Sequence, residues 1–274
     1  MPYISSISQV NNPITGAFGT GQVQVFSSSG VWTVPAGISR VRVRMWGGGG
    51  GSFTGAQQTS GSGGGFALKA IYDLSGVTSI PVTVGAAGTT GNPGLVGGTS
   101  SFGSYVSATG GQSGAASNVT TAGTGVGGDI NTSGGASNNT TTSGGGGAGS
   151  LFGTGGAGTN NGVGNSGGSG GGSYSASTTQ ISTGGNGILG RGSSPATYTT
   201  NGGLSIQMPT TGQEGGFSID FIGTGGGGGS TSSSNLTVGG INGGGGGWSA
   251  PGGFPGGGGG YNSTSAAGLV IVEW

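Results

Sequence analysis

The chain offers five carboxylates, Asp73, Asp129, Glu214, Asp220 and Glu273, against five basic side chains, and it contains neither histidine nor cysteine. That absence removes imidazole and thiolate metal ligands, disulfides and the commonest general acid and base. A pair of carboxylates is what glycoside hydrolysis requires, and Glu214 and Asp220 are the nearest pair in sequence. Their settings point elsewhere, since Glu214 falls in a loop (TTGQEGG) and Asp220 at the end of an alternating run (FSID). The sequence therefore predicts no enzyme, no metal and no cofactor. Matches to G-x-G-x-x-G have no weight as phosphate loops, because 79 of 274 residues are glycine and such patterns arise by chance.

Three of the five basic groups form a row, Arg40, Arg42 and Arg44, in SRVRVRM. Val41, Val43 and Met45 alternate with them, which predicts a half-buried strand with the arginines on its outer face. Such a row either pairs with Glu273 on a neighbouring strand or meets an acidic or phosphate-bearing partner. In the second case its place in the base makes it an assembly contact. Five positive against five negative groups exclude a phosphate-tracking nucleic-acid surface. No apolar run reaches membrane-spanning length, so the chain is not expected to be membrane-embedded, and MPYISSISQVNNPITGAF lacks the basic and apolar regions of a secretory signal.

The elements that would position these groups are few. VQVF and VWTVPAG predict a hairpin of two short strands before the arginine row. FALKAIYD and IPVTVG predict two further strands, and TSSFGSYVSATGG a short hairpin. Beyond residue 110 such signals nearly vanish, apart from LSIQM and FSIDFI, until GLVIVEW. The run Leu269 to Trp274 is too apolar to be left loose, and it predicts a closing strand beside the N-terminal strands, in one sheet or a small sandwich.

Leu, Ile, Val and Phe together fall just short of the roughly 20% found in packed globular chains, yet charge is also scarce, at 4%, unlike a solvated disordered chain. Glycine columns at 47–51, 63–65, 144–147, 167–172, 225–229, 243–247 and 256–260 alternate with Ser, Thr, Asn and Gln-rich inserts, and several abut strand ends, as in MWGGGGGS and SGGGFALK. A threefold helix of the polyproline II type has no internal hydrogen bonds, so its N–H and C=O groups must pair sideways. Glycine alone allows neighbours to approach from every side. The expected fold is therefore all-β with little or no α-helix: a small antiparallel base carrying a packed bundle of polyglycine II helices. The segments are an N-terminal attachment segment, 1–20; a base with the first glycine helices, 21–110; the helix bundle with its polar inserts, 111–267; and the closing strand, 268–274.

VWTVPAGISRVRVRMWGGGGGS, IPVTVGAAG followed by GGTSSFGSYVSATGG, and AAGLVIVEW together resemble the glycine-rich domain of tailed-bacteriophage tail-fibre and tail-tip proteins. The resemblance covers residues 21–110 and 225–274, and the middle in style. It implies a polyglycine II sandwich on a β base, and an adhesin in the virion, at the tail tip or fibre and made in the host cytoplasm. The implied partners are other tail or fibre proteins at the base and a bacterial surface protein or polysaccharide at the loops, with monomer and homotrimer both open. A structural fibre component, its loops packed on neighbouring subunits, is the alternative.

Amides and hydroxyls with scattered aromatics are the composition of adaptable recognition loops. The inserts 52–62, 160–165, 174–198 and 230–238 are thus the expected receptor face. Phe53, Gln57, Gln58, Asn160, Asn161, Tyr174, Tyr198 and Asn235 are its individual candidates.

Overall fold

Short alternating runs bounded by glycine and turn residues form short strands. These are β1 (Val23–Phe26), β2 (Gly30–Thr33), β3 (Val41–Trp46), β4 (Phe66–Ile71), β5 (Ser79–Thr83), β6 (Ser100–Phe102), β7 (Val106–Ala108), β8 (Gly125–Val126), β9 (Ile130–Thr132), β10 (Thr159–Asn160), β11 (Ser173–Tyr174), β12 (Asn186–Gly187), β13 (Gly190–Arg191), β14 (Gly229–Ser230) and β15 (Leu269–Glu273). The computed structural model describes residues 22–55, 59–114, 121–137, 144–160 and 251–274, with the paired dipeptides 173–174, 186–187, 190–191 and 229–230. Among these residues the fold is all-β and contains no α-helix.

Two antiparallel five-stranded sheets make the base, ordered β1-β15-β3-β4-β9 and β2-β5-β6-β7-β8. The inward faces of both sheets close one core, with Trp32, Val41, Val43, Met45, Phe102 and Val272 fully excluded from solvent. Trp32 stands edge-on to Trp274 at 5.5 Å and tilted on Phe102 at 5.7 Å, arrangements that suit aromatic quadrupoles. A second core lies on the other face of the first sheet, where Trp46, Phe66, Leu269 and Ile271 meet Ala148. It joins the sheet to the glycine-rich layer.

The closing strand docks as expected, inserted between β1 and β3, and β6 and β7 form the short hairpin. The expected β1–β2 hairpin does not form. β1 pairs with β15 and β2 with β5, so residues 27–29 carry the chain from one sheet to the other. Phe26 and Trp32 then enter the same inter-sheet core from opposite sides, which a flat hairpin would prevent. β8 and β9 also return to the base beyond residue 110, pairing with β7 and β4. GVGGDINTS has no apolar alternation, and Val126 and Ile130 stay exposed; backbone pairing holds these strands, helped by the Asp129 carboxylate accepting the Ala70 N–H and the Thr132 hydroxyl donating to Ser150 O.

The described glycine columns, at 47–51, 63–65, 144–147 and 256–260, pack as a bundle of threefold helices, whereas those expected at 167–172, 225–229 and 243–247 lie outside the described residues apart from Gly229. The N–H groups of Gly47 and Gly50 donate to Gly65 and Ser62, those of Gly48 and Gly51 to Gly98 and Leu95, and that of Gly49 to Ala266. Every third residue thus faces the same neighbour, the period of polyproline II. The carbonyls follow suit: Gly48 and Gly51 accept from Gly111 and Gly114, Gly49 from Gly88, and Gly50 from Gly259. Column 47–51 is therefore enclosed by six others, and column 61–65 is enclosed in the same way by its own bonds. A Cβ on Gly50 would lie 1.9 Å from the carbonyl oxygen of Gln112, and one on Gly63 would lie 1.9 Å from that of Gly147. Each lateral bond contributes about 0.5–1.5 kcal/mol net, and no side chain could be inserted without removing several.

Candidate functional site

Strand direction decides where the inserts gather. β3, β5, β7 and β9 each run out of the base into a glycine column, at 47–51, 85–88, 109–114 and 133–137. Columns 61–65, 94–98 and 263–268 bring the chain back into β4, β6 and β15. The connections between outgoing and returning columns therefore share one end, remote from the base. Cross-links confirm that level: Thr54 N–H donates to Gly91 O at 2.8 Å, Gly114 N–H to Gly51 O at 2.9 Å, and Ser263 N–H to Ser52 Oγ at 3.0 Å. Thr54, Thr89, Asn92, Gln112, Thr121 and Asn262 are exposed there. Of these turns, 89–93 and 261–262 were not among the sequence candidates. Their signal was local, Asn92-Pro93-Gly94 and Tyr261-Asn262-Ser263 beside glycine columns, with Asn262 in the left-handed region at φ 51° as short polar residues allow.

Two sequence candidates come together. β10, β11 and β14 form a parallel three-stranded sheet in which Asn160 is the register partner of Tyr174, and Tyr174 of Ser230. Gly158 N–H donates to Ala136 O, so the chain reaches Asn160 on its way outward. The inserts that begin after Asn160, Tyr174 and Ser230 thus start side by side and in one direction. Phe53, by contrast, is only 7% exposed and bridges to Gly91, so its ring packs within the turn. Gln57, Gln58, Asn161, Tyr198 and Asn235 lie outside the described residues, as do Glu214 and Asp220.

At the opposite end, Arg42 Nε bonds Glu273 Oε2 at 2.5 Å, and Arg44 bonds the other carboxylate oxygen. Arg40 is half-buried just before β3. Of the remaining carboxylates, Asp129 accepts the Ala70 N–H at 2.7 Å and Asp73 the Ser75 N–H at 2.8 Å. The Ser75 hydroxyl and then its N–H hold the Asp73 carboxyl below the ordinary aspartate value. Among the described residues, no cluster of three acidic groups could hold a metal, and no helix is long and apolar enough to cross a membrane.

The described residues thus form a main-chain bundle with polar turns at one end, joined to a β sandwich at the other. Residues 24–274 match the family described as the glycine-rich domain, and the chain belongs to it. Among curated proteins, none matches the chain.

Proposed function

We propose that this glycine-rich domain is an adhesin of a bacteriophage tail fibre or tail tip, gripping a bacterial surface protein or polysaccharide with its distal turns. The observation that carries the reading is the convergence of the turns on one end. Antiparallel columns alone would alternate their turns between two ends equally, but here most base-side connections among the described residues are strands of the two sheets, apart from the turns 150–153 and 253–256, while the distal turns carry the exposed Thr54, Thr89, Asn92 and Asn262. Neighbours held by main-chain bonds leave those turns fixed in relative position, which lowers the ordering cost of binding. Asn160 and Tyr174, side by side in register, are the leading contact candidates. The base would attach to other tail proteins, with Arg40 and the solvent-facing part of Arg42 as the assembly contact; Arg44 is committed to Glu273.

Purified protein, fluorescently labelled, is applied to a panel of Gram-negative and Gram-positive cells. Replacing residues 175–185 with a Gly/Ser segment of equal length should abolish or redirect cell binding while the thermal transition of the base stays unchanged. Unaltered binding after this replacement and after equivalent ones at 56–58, 115–120 and 138–143 would count for the structural-component reading instead.

A further inference from the structure

Among the described residues, strand β1 is the outer edge of its sheet and no other strand pairs with its free side. In an antiparallel ladder, hydrogen-bonded and non-bonded residue pairs alternate. Trp274 N–H donates to Gln22 O, so the pairs Gln22–Trp274, Gln24–Val272 and Phe26–Val270 are the bonded ones in the observed register. The N–H and C=O groups of Val23 and Val25 consequently point away from β15, along the open edge. Their side chains share the outer face with Ile271 and Glu273, their register partners, and are 56% and 52% exposed. Natural edges are usually blunted by lysine, proline, a bulge or an inward charge. GQVQVF contains none of these.

We propose that β1 pairs antiparallel with β1 of a second copy of this chain, joining the two five-stranded sheets into one sheet across a twofold axis. The strand is self-complementary in the register that sets Val23 opposite Val25 of the second copy. In that register the outward amides of both valines close reciprocal bonds, the four valines form one apolar cluster on the outer face, and Gln24 stands on the axis opposite its own counterpart. Gln24 is exposed, so the two amides meet without clashing with a packed core. No charge opposes the approach, because residues 22–33 carry none. β2 follows β1 after a three-residue turn and is the edge of the other sheet, which brings Val31, 59% exposed, to the rim. β1 runs in the direction of β3, since both are antiparallel to β15. The dimer would therefore point its two glycine bundles in opposite directions, with a tip at each end.

The axis gives a sharp test in a chain without cysteine. Two Gln24→Cys chains place their Cα atoms about 4.5 Å apart, a non-bonded pair within disulfide reach. Gln22→Cys, opposite Phe26 of the other copy, is about 13 Å from its own counterpart. The full-length protein should show a concentration-dependent dimer mass by light scattering between about 1 μM and 1 mM. Under mild oxidant Q24C should cross-link to a dimer, and Q22C should remain uncross-linked. Val25→Pro removes one outward N–H that the fold does not use, and it should give a monomer with an unchanged thermal transition. A monomer or a trimer throughout the concentration range, or equal cross-linking of Q22C and Q24C, would overturn the proposal.

Discussion

Glu273 stands directly opposite Arg42 in the β3–β15 ladder and also binds Arg44, one step along the same face. One carboxylate thereby serves two guanidiniums, and the arrangement is asymmetric: the Arg42 side chain is 37% exposed and that of Arg44 only 9%. Water screens the first pair, while the second is desolvated. Glu273→Gln should cost about 3 kcal/mol in chemical denaturation, because it leaves buried guanidinium charge without its carboxylate. Glu273→Gln combined with Arg44→Met should cost less than the single change. If the double variant is the less stable of the two, the desolvation account fails.

Glycine in this chain has two separable jobs. Gly50 is enclosed by neighbouring carbonyls, the nearest 1.9 Å from where a Cβ would stand, whereas Gly37 has φ 81° and nothing within 4 Å. Gly50→Ala must therefore push columns apart, and about 3 kcal/mol or more should be lost. Gly37→Ala strains a single turn and should cost about 1 kcal/mol. Equal losses at the two positions would show that the columns do not pack on naked backbone.

Much of the base was legible because alternation in SRVRVRM and IPVTVG reports a buried face and the continuous apolar run in GLVIVEW a strand covered on both faces, although β3 is buried on its arginine face too, where Arg44 is covered. The glycine columns reported main-chain packing by exclusion of everything larger. The sheet to which β1 belongs was not legible. Its four residues alternate equally well in a hairpin or across a sandwich, and only the need of β15 for two partners decides. β8 and β9 left no trace, since their pairing uses backbone groups and leaves Val126 and Ile130 in solvent. The distal end was hidden for a different reason. Composition marked the inserts, but which of them share an end depends on strand direction, and Phe53 looked like a contact residue until the turn buried it.

Asp73 supplies a small acid-sensitive contribution at the turn after β4. Its carboxylate is fully solvated, and its proton affinity is lowered first by the Ser75 hydroxyl and then by the Ser75 N–H. A folded value below the unfolded one means that the stabilisation is complete above the ordinary aspartate range and is lost as pH falls through the folded value. Carboxyl-resolved NMR titration should place Asp73 below a free aspartate, and Ser75→Ala should move it upward. No upward movement would remove Ser75 as the cause.

Amide exchange tests the bundle most directly, because it reads the bonds rather than the sheet content. Gly50 and Gly63 donate to Ser62 and Gly135 at 2.8 and 3.0 Å and are buried, yet neither belongs to a strand. If lateral bonding makes the columns one cooperative body with the base, their N–H groups open only with it and should be protected to the same degree as those of β3. The exposed turn residues Asn92 and Asn262 should exchange orders of magnitude faster than the columns. Exchange of Gly50 and Gly63 at the rate of an open glycine chain would mean that the columns are not held sideways, and the distal turns would then have no fixed geometry with which to grip a surface.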